Sequence, residues 1–144
     1  MTKRVLCAVD IGHPDQERHL LKRAAQLADM DDAELDVLNV IPGFGMSVVG
    51  MHFPEGIEQK MVDHTNASLH AFIEETLGPD RDRHVGHIVA EGSVYKEILR
   101  VATEIGANLI VIGAHHPDLR DFLLGPNADR VARHADCSVY IVRM

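Results

Sequence analysis

Leu109-Ile110-Val111-Ile112-Gly113-Ala114-His115-His116-Pro117-Asp118 is the stretch on which the fold turns. Four apolar residues in a row, bounded by a glycine, predict a strand buried on both faces, as in a parallel sheet. Downstream, Leu124-Gly125-Pro126-Asn127-Ala128 predicts a helix start, with proline at its first position. Gly113 lets the backbone approach a ligand with no side chain in the way. The first N–H groups of the helix lack intrahelical partners, and together with the helix dipole they attract an anion. The segment from Gly113 to Asn127 therefore reads as a phosphate site. By spacing alone, it also reads as a connection that binds nothing.

Outward from this stretch, strand and helix alternate along the chain, the signature of a parallel sheet covered by helices. Strand one is expected at Arg4–Val9, and helix one follows Pro14 with a stripe of Leu20, Leu21, Ala24, Leu27 and Ala28. Strand two is expected at Leu35–Ile41. Helix two spans about Ile57–Leu77, with Met61, Thr65, Leu69, Phe72, Ile73 and Leu77 on one face. Strand three is expected at His84–Val89. Ser93 is placed to cap helix three, whose stripe is Val94, Ile98, Val101, Ala102 and Ile105, and Gly106 closes it. Strand four is Leu109–Ile112, helix four Pro126–Ala135 and strand five Ser138–Val142. The expected fold is a doubly wound α/β domain with a five-stranded parallel sheet, strand order 3-2-1-4-5 and helices on both faces. In such a sheet, ligands bind beyond the carboxyl ends of the strands where the order reverses. Here that point lies between strands one and four, at Asp10 and Gly113.

The segment Pro42–Gly56 breaks the rhythm. It mixes four glycines with Phe44, Met46, Val48, Val49, Met51 and Phe53. It reads either as a mobile loop that covers a ligand or partner, or as an insertion packed on its own domain.

With 144 residues, 46% hydrophobic and 25% charged, the chain has the size and composition of one globular domain. No apolar run reaches the roughly 20 residues a membrane span needs, and no signal-peptide core precedes Asp10. The expectation is a cytoplasmic protein. A net charge of -8, with no basic stripe, argues against nucleic acid as a partner. Cys7 and Cys137 sit in apolar segments and read as free buried thiols. No G-x-x-x-x-G-K-[ST] loop occurs, and Asp10-Ile11-Gly12-His13 stands where a dinucleotide-binding glycine motif would lie. No metal-ligand spacing stands out, and His84 and His87 are expected on opposite faces of strand three. No serine, histidine and carboxylate constellation appears either, so the chain reads as a binder rather than an enzyme.

Strand one ending in Val9-Asp10, strand two in Val40-Ile41-Pro42, Glu91-Gly92-Ser93 before helix three, and the segment Gly113–Arg143 together resemble the universal stress protein family. The resemblance covers residues 1–144 as one domain of the adenine nucleotide alpha-hydrolase-like type. It is closest to an ATP-binding-like bacterial subgroup marked by His-x-Pro-Asp, here His115-His116-Pro117-Asp118, and by Arg133–Val139. Many members bind ATP through G-x2-G-x9-G-[ST]. Gly113 matches the first glycine and Gly125 the third, while His116 replaces the second and Pro126 the serine or threonine. The loop is one residue short, with eight residues between His116 and Gly125.

The resemblance implies ATP or ADP as ligand, with Mg²⁺ brought to Asp10 through the nucleotide. It implies contacts from Ala8, Val9 and Asp10, from Val40, from Ile112 and Gly113, from His115, His116 and Arg120, and from Gly125, Pro126, Asn127 and Ala128. In relatives, the aspartate matching Asp10 lies near ribose and the backbone matching Val40 meets adenine. Pro126 has neither N–H nor hydroxyl, so the phosphates lose donors there. The family role is a stress-response regulator, with a nucleotide-free interaction module as the alternative and slow ATP hydrolysis as a third reading. Members are commonly homodimers. The apolar edge Val139-Tyr140-Ile141-Val142 of strand five is the expected dimer contact, with tetramers and an unidentified protein partner left open.

Overall fold

The computed structural model describes residues 2–43, 56–114 and 125–143. Its elements are β1 (Arg4–Val9), α1 (Pro14–Met30), β2 (Glu34–Pro42), α2 (Ile57–Leu77), α3 (Pro79–Asp82), β3 (Gly86–Gly92), α4 (Val94–Ile105), β4 (Leu109–Gly113), α5 (Pro126–His134) and β5 (Ser138–Val142). The strands form one five-stranded sheet in the order β3-β2-β1-β4-β5, every neighbouring pair parallel. This is the expected doubly wound topology.

Period-two alternation along β1 divides the core. Val5, Cys7 and Val9 point to the face covered by α1 and α2, where they meet Leu20, Leu21, Ala24, Leu69 and Ile73. Leu6 and Ala8 point to the other face, against Ile98 and Val101 of α4 and Val131 of α5. Each fully buried leucine or isoleucine contributes roughly 1.5–3 kcal/mol, so both faces are needed to hold a sheet this small. Gly106, at φ 69°, closes α4 as its left-handed conformation requires.

Several sequence expectations move. Strand three begins at Gly86, not His84, because the chain spends His84 and Val85 in turn hydrogen bonds to Arg81 and Asp82 after the short helix α3. At Gly86 a Cβ would stand 2.0 Å from Asp36 Oδ1, an oxygen of a carboxylate held by Arg4 at 3.1 Å. Only glycine starts the strand there. His84 and His87 therefore do not share a strand. Ser93 occupies the N-cap of α4, but its hydroxyl makes no capping bond. The apolar face of α2 is buried only at Leu69, Phe72 and Ile73, while Met61 is 38% exposed. The buried positions of α2 thus fall in its carboxyl-terminal half. Most of the Pro42–Gly56 segment lies outside the described residues.

Cys7 is fully buried, and burial pushes its thiol far above the usual range. Cys137 precedes β5 and is partly buried, with its thiol also pushed up by burial. Both are free. Among the described residues no helix is long and apolar enough to cross a membrane.

Candidate functional site

β1 and β4 are hydrogen-bonded neighbours, yet the chain leaves them for helices on opposite faces, α1 after β1 and α5 after β4. The divergence opens a crevice beyond their carboxyl ends. A cavity of about 210 Å³ lies there. Its walls include Ala8, Val9 and Asp10 from the end of β1, Val40 from β2, and Ile112 and Gly113 from β4. Val94 and Ile98 of α4 add to its apolar lining, and Asn127 of α5 lines it as well.

A tight turn positions Asp10. Its Oδ1 accepts the Gly12 N–H at 3.0 Å, and its carbonyl accepts the His13 N–H at 3.1 Å. Beneath the turn, the buried Asn39 takes the Ile11 N–H on its Oδ1 at 3.0 Å. The side chain of Asp10 is thereby fixed, exposed, at the crevice mouth.

Across the crevice, Gly125 is the N-cap of α5 in extended conformation, with no side-chain cap. Pro126 holds the first position and lacks an N–H, so the amide donors at this end come from Asn127 and Ala128. The Ala128 side chain is buried in the core, which leaves its backbone as the only part that can reach a ligand. Gly125 and Pro126 stand at this helix end without lining the cavity. His115, His116, Arg120 and the Pro117-Asp118 step lie outside the described residues. Arg130 packs its guanidinium over the Tyr95 ring at 4.9 Å, joining α5 to α4.

Glu17 is the crevice residue that the sequence reading missed. It sits in the first turn of α1, lines the cavity, and its Oε1 accepts the Asp10 N–H at 2.9 Å. Its other oxygen, Oε2, is buried with no hydrogen-bond partner. Burial pushes the Glu17 carboxyl up to about 7, the nearby Asp10 charge adds to the rise, and the Asp10 N–H opposes it. An acid in a first helical turn is ordinary helix chemistry, so nothing in the sequence distinguished it. The crevice thus presents one fixed carboxylate, one carboxyl that titrates near neutrality, an amide side chain and an apolar wall.

Fold and crevice define a class: doubly wound α/β proteins that take a small ligand where the strand order reverses. The family follows from comparison with known proteins. The Universal stress protein family profile matches residues 1–143, and the chain belongs to that family. Universal stress protein G of Shigella flexneri is 30% identical, covering 99% of this chain and all of the relative. A universal stress protein family structure from Burkholderia pseudomallei is 25% identical with a TM-score of 0.69, covering 97% of this chain and 95% of its own. A universal stress protein solved in complex with cAMP shares the fold at 21% identity and a TM-score of 0.63, covering 99% of this chain and 97% of its own.

Proposed function

We propose that this universal stress protein binds an adenine nucleotide, ATP or ADP, in the β1–β4 crevice and acts as a nucleotide-responsive regulator. The observation that carries the reading is the convergence on one cavity of Ala8, Val9, Asp10, Val40, Ile112, Gly113 and Asn127, which the chain keeps far apart. The apolar wall of Val40, Val94, Ile98 and Ile112 suits a base, and Asp10 suits a ribose hydroxyl. The start of α5 suits a phosphate, through the Asn127 side chain and the free amides. The cAMP complex of a fold neighbour supports adenine nucleotides as the ligand class. The His115-His116-Pro117-Asp118 sequence supports placement in the ATP-binding-like subgroup.

Asp10, with Glu17 behind it, also fits a hard divalent cation. Mg²⁺ is commonly held by one or two carboxylates together with phosphate oxygens. Bound with the nucleotide, Mg²⁺ would offset phosphate charge beside these two acids.

The test is thermal. Saturating ATP or ADP is expected to raise the melting temperature of the full chain, by an amount equivalent to about 2.7 kcal/mol at a hundredfold excess over Kd. With no Trp and two Tyr, the chain absorbs little itself, so adenine carried through purification will dominate the near-ultraviolet spectrum. A flat melting temperature with ATP, ADP and cAMP would leave an interaction module of universal-stress type that binds no nucleotide.

The proposal extends to a homodimer through β5. The strand pairs with β4 on one side, and Tyr140, 40% exposed, stands on it with the partly buried Val139 and Ile141. Pairing with a second copy would cover such an edge. Light scattering at micromolar concentration is expected to give a dimer, and a monomer would overturn this part. A tetramer would mean that further surfaces join.

A further inference from the structure

We propose that His70, Asp82 and His87 form a binding site for a divalent transition-metal ion of the zinc type. The three come from α2, α3 and β3, and their ligand atoms all lie within 4.8 Å of one another. Asp82 is the centre. It is 4% exposed, with Oδ2 at 2.9 Å from His70 Nδ1 and Oδ1 at 2.8 Å from His87 Nε2. The two imidazoles meet edge to face, their centroids 5.2 Å apart. Among the described residues, no other group of His, Cys, Asp or Glu gathers in this way.

The ring of His70 makes the strongest case. Its Nδ1 faces Asp82, and its Nε2 faces Glu74 Oε2 at 3.2 Å. A neutral imidazole carries one N–H, so one of these nitrogens turns a lone pair toward a carboxylate. A cation relieves that conflict. A metal ion bound at Nδ1 lets Nε2–H donate to Glu74, the carboxylate–histidine–metal arrangement that fixes ring orientation in metal sites. Two imidazole nitrogens and one carboxylate oxygen suit zinc and its neighbours, whereas Mg²⁺ and Ca²⁺ favour oxygen ligands. His70 is half-exposed, which gives the ion an entry path and leaves a coordination position for water. Bound there, the ion ties α2 and the α3 turn to the edge strand β3, at its amino-terminal end. The nucleotide crevice lies at the opposite, carboxyl end of the sheet.

The test is calorimetric titration of the full chain with Zn²⁺, alongside His70→Ala, Glu74→Gln and Asp82→Asn. One site per chain is expected in the unaltered protein, with a rise in melting temperature. Glu74→Gln is expected to weaken binding about 10–100-fold. His70→Ala and Asp82→Asn should weaken it more and remove the thermal shift. His70 and Glu74 are both about half-exposed on α2, so their variants keep the fold, and circular dichroism checks this. Equal Zn²⁺ affinity in the unaltered protein and His70→Ala would place the ion elsewhere and overturn the proposal. No saturable binding would overturn it as well.

Discussion

Two largely buried carboxylates stand at opposite ends of this sheet, and they are built in opposite ways. Asp82 has both oxygens occupied, one by each imidazole. Glu17 has one oxygen held by the Asp10 N–H and the other buried without a partner. The first arrangement compensates the loss of hydration, and the second does not. A protein tolerates an uncompensated carboxyl where a ligand is expected to meet it, and Glu17 faces the crevice proposed for the nucleotide. Asp82 instead holds three elements together and lends itself to a cation.

The contrast predicts opposite signs on removal. Asp82→Ala is expected to cost about 3 kcal/mol in urea unfolding, since both histidines lose a charge-assisted bond. The larger values seen for fully buried pairs do not apply, because His70 can turn into water. Glu17→Gln is expected to stabilise the nucleotide-free protein instead. The folded-state pKa of Glu17 is raised from 4.5 to about 7, so its contribution is most favourable below 4.5 and is lost as pH rises through 7. At about pH 8 the glutamine should gain on the order of 2 kcal/mol, less than the full shift implies because a polar amide stays buried. At about pH 4 the gain should vanish. A gain that does not depend on pH would mean that packing, not charge, limits Glu17.

The two ends also differ in how far the sequence disclosed them. The crevice follows the strands, so Asp10 and Gly113 were legible as the residues just past two apolar runs. Gly125 and Pro126 marked the start of α5 in the same way. Glu17 was not legible, because its unusual state comes from the burial that the β1–α1 turn imposes. The His70–Asp82–His87 cluster was hidden for a different reason. No local spacing links a helix, a one-turn helix and a strand, and α3 was unforeseen. Reading strand three from His84 set His84 and His87 on opposite faces of one strand and gave His87 no partner. His84 belongs to the turn, and His87 meets Asp82 only because the strand starts at Gly86. The alternation that built the sheet is periodic and survives in sequence, whereas the cluster depends on a turn and a register.

Pro126 sharpens the crevice side of the comparison. Serine at this position would restore an N–H and add a hydroxyl at the start of α5, each worth on the order of 1.5 kcal/mol to a phosphate when well aligned. Pro126→Ser is expected to tighten ATP binding about tenfold if one donor aligns and about a hundredfold if both do, read by calorimetry at fixed salt. Unchanged affinity would mean that the phosphates do not lie against α5, and the crevice reading would have to shift toward the base and ribose side.

The smallest expected effect is the one that would break the comparison altogether. If the ends of the sheet are separate, His70→Ala should change nucleotide affinity by less than about twofold, the scatter of about 0.3–0.5 kcal/mol seen for independent sites. Zn²⁺ should likewise leave nucleotide binding unchanged. The separation is physical: His87 pairs with Val37 near the start of β3, whereas Val40, three residues further along β2, already lines the cavity. Coupling would have to pass along β2, a strand locked between β1 and β3 by continuous pairing, or from α1 to α2, which pack together and share the Arg18–Glu75 pair at 3.8 Å. A nucleotide affinity that shifts severalfold with Zn²⁺ would show that one of these connections has two arrangements, and that Glu17 and Asp82 report on one another.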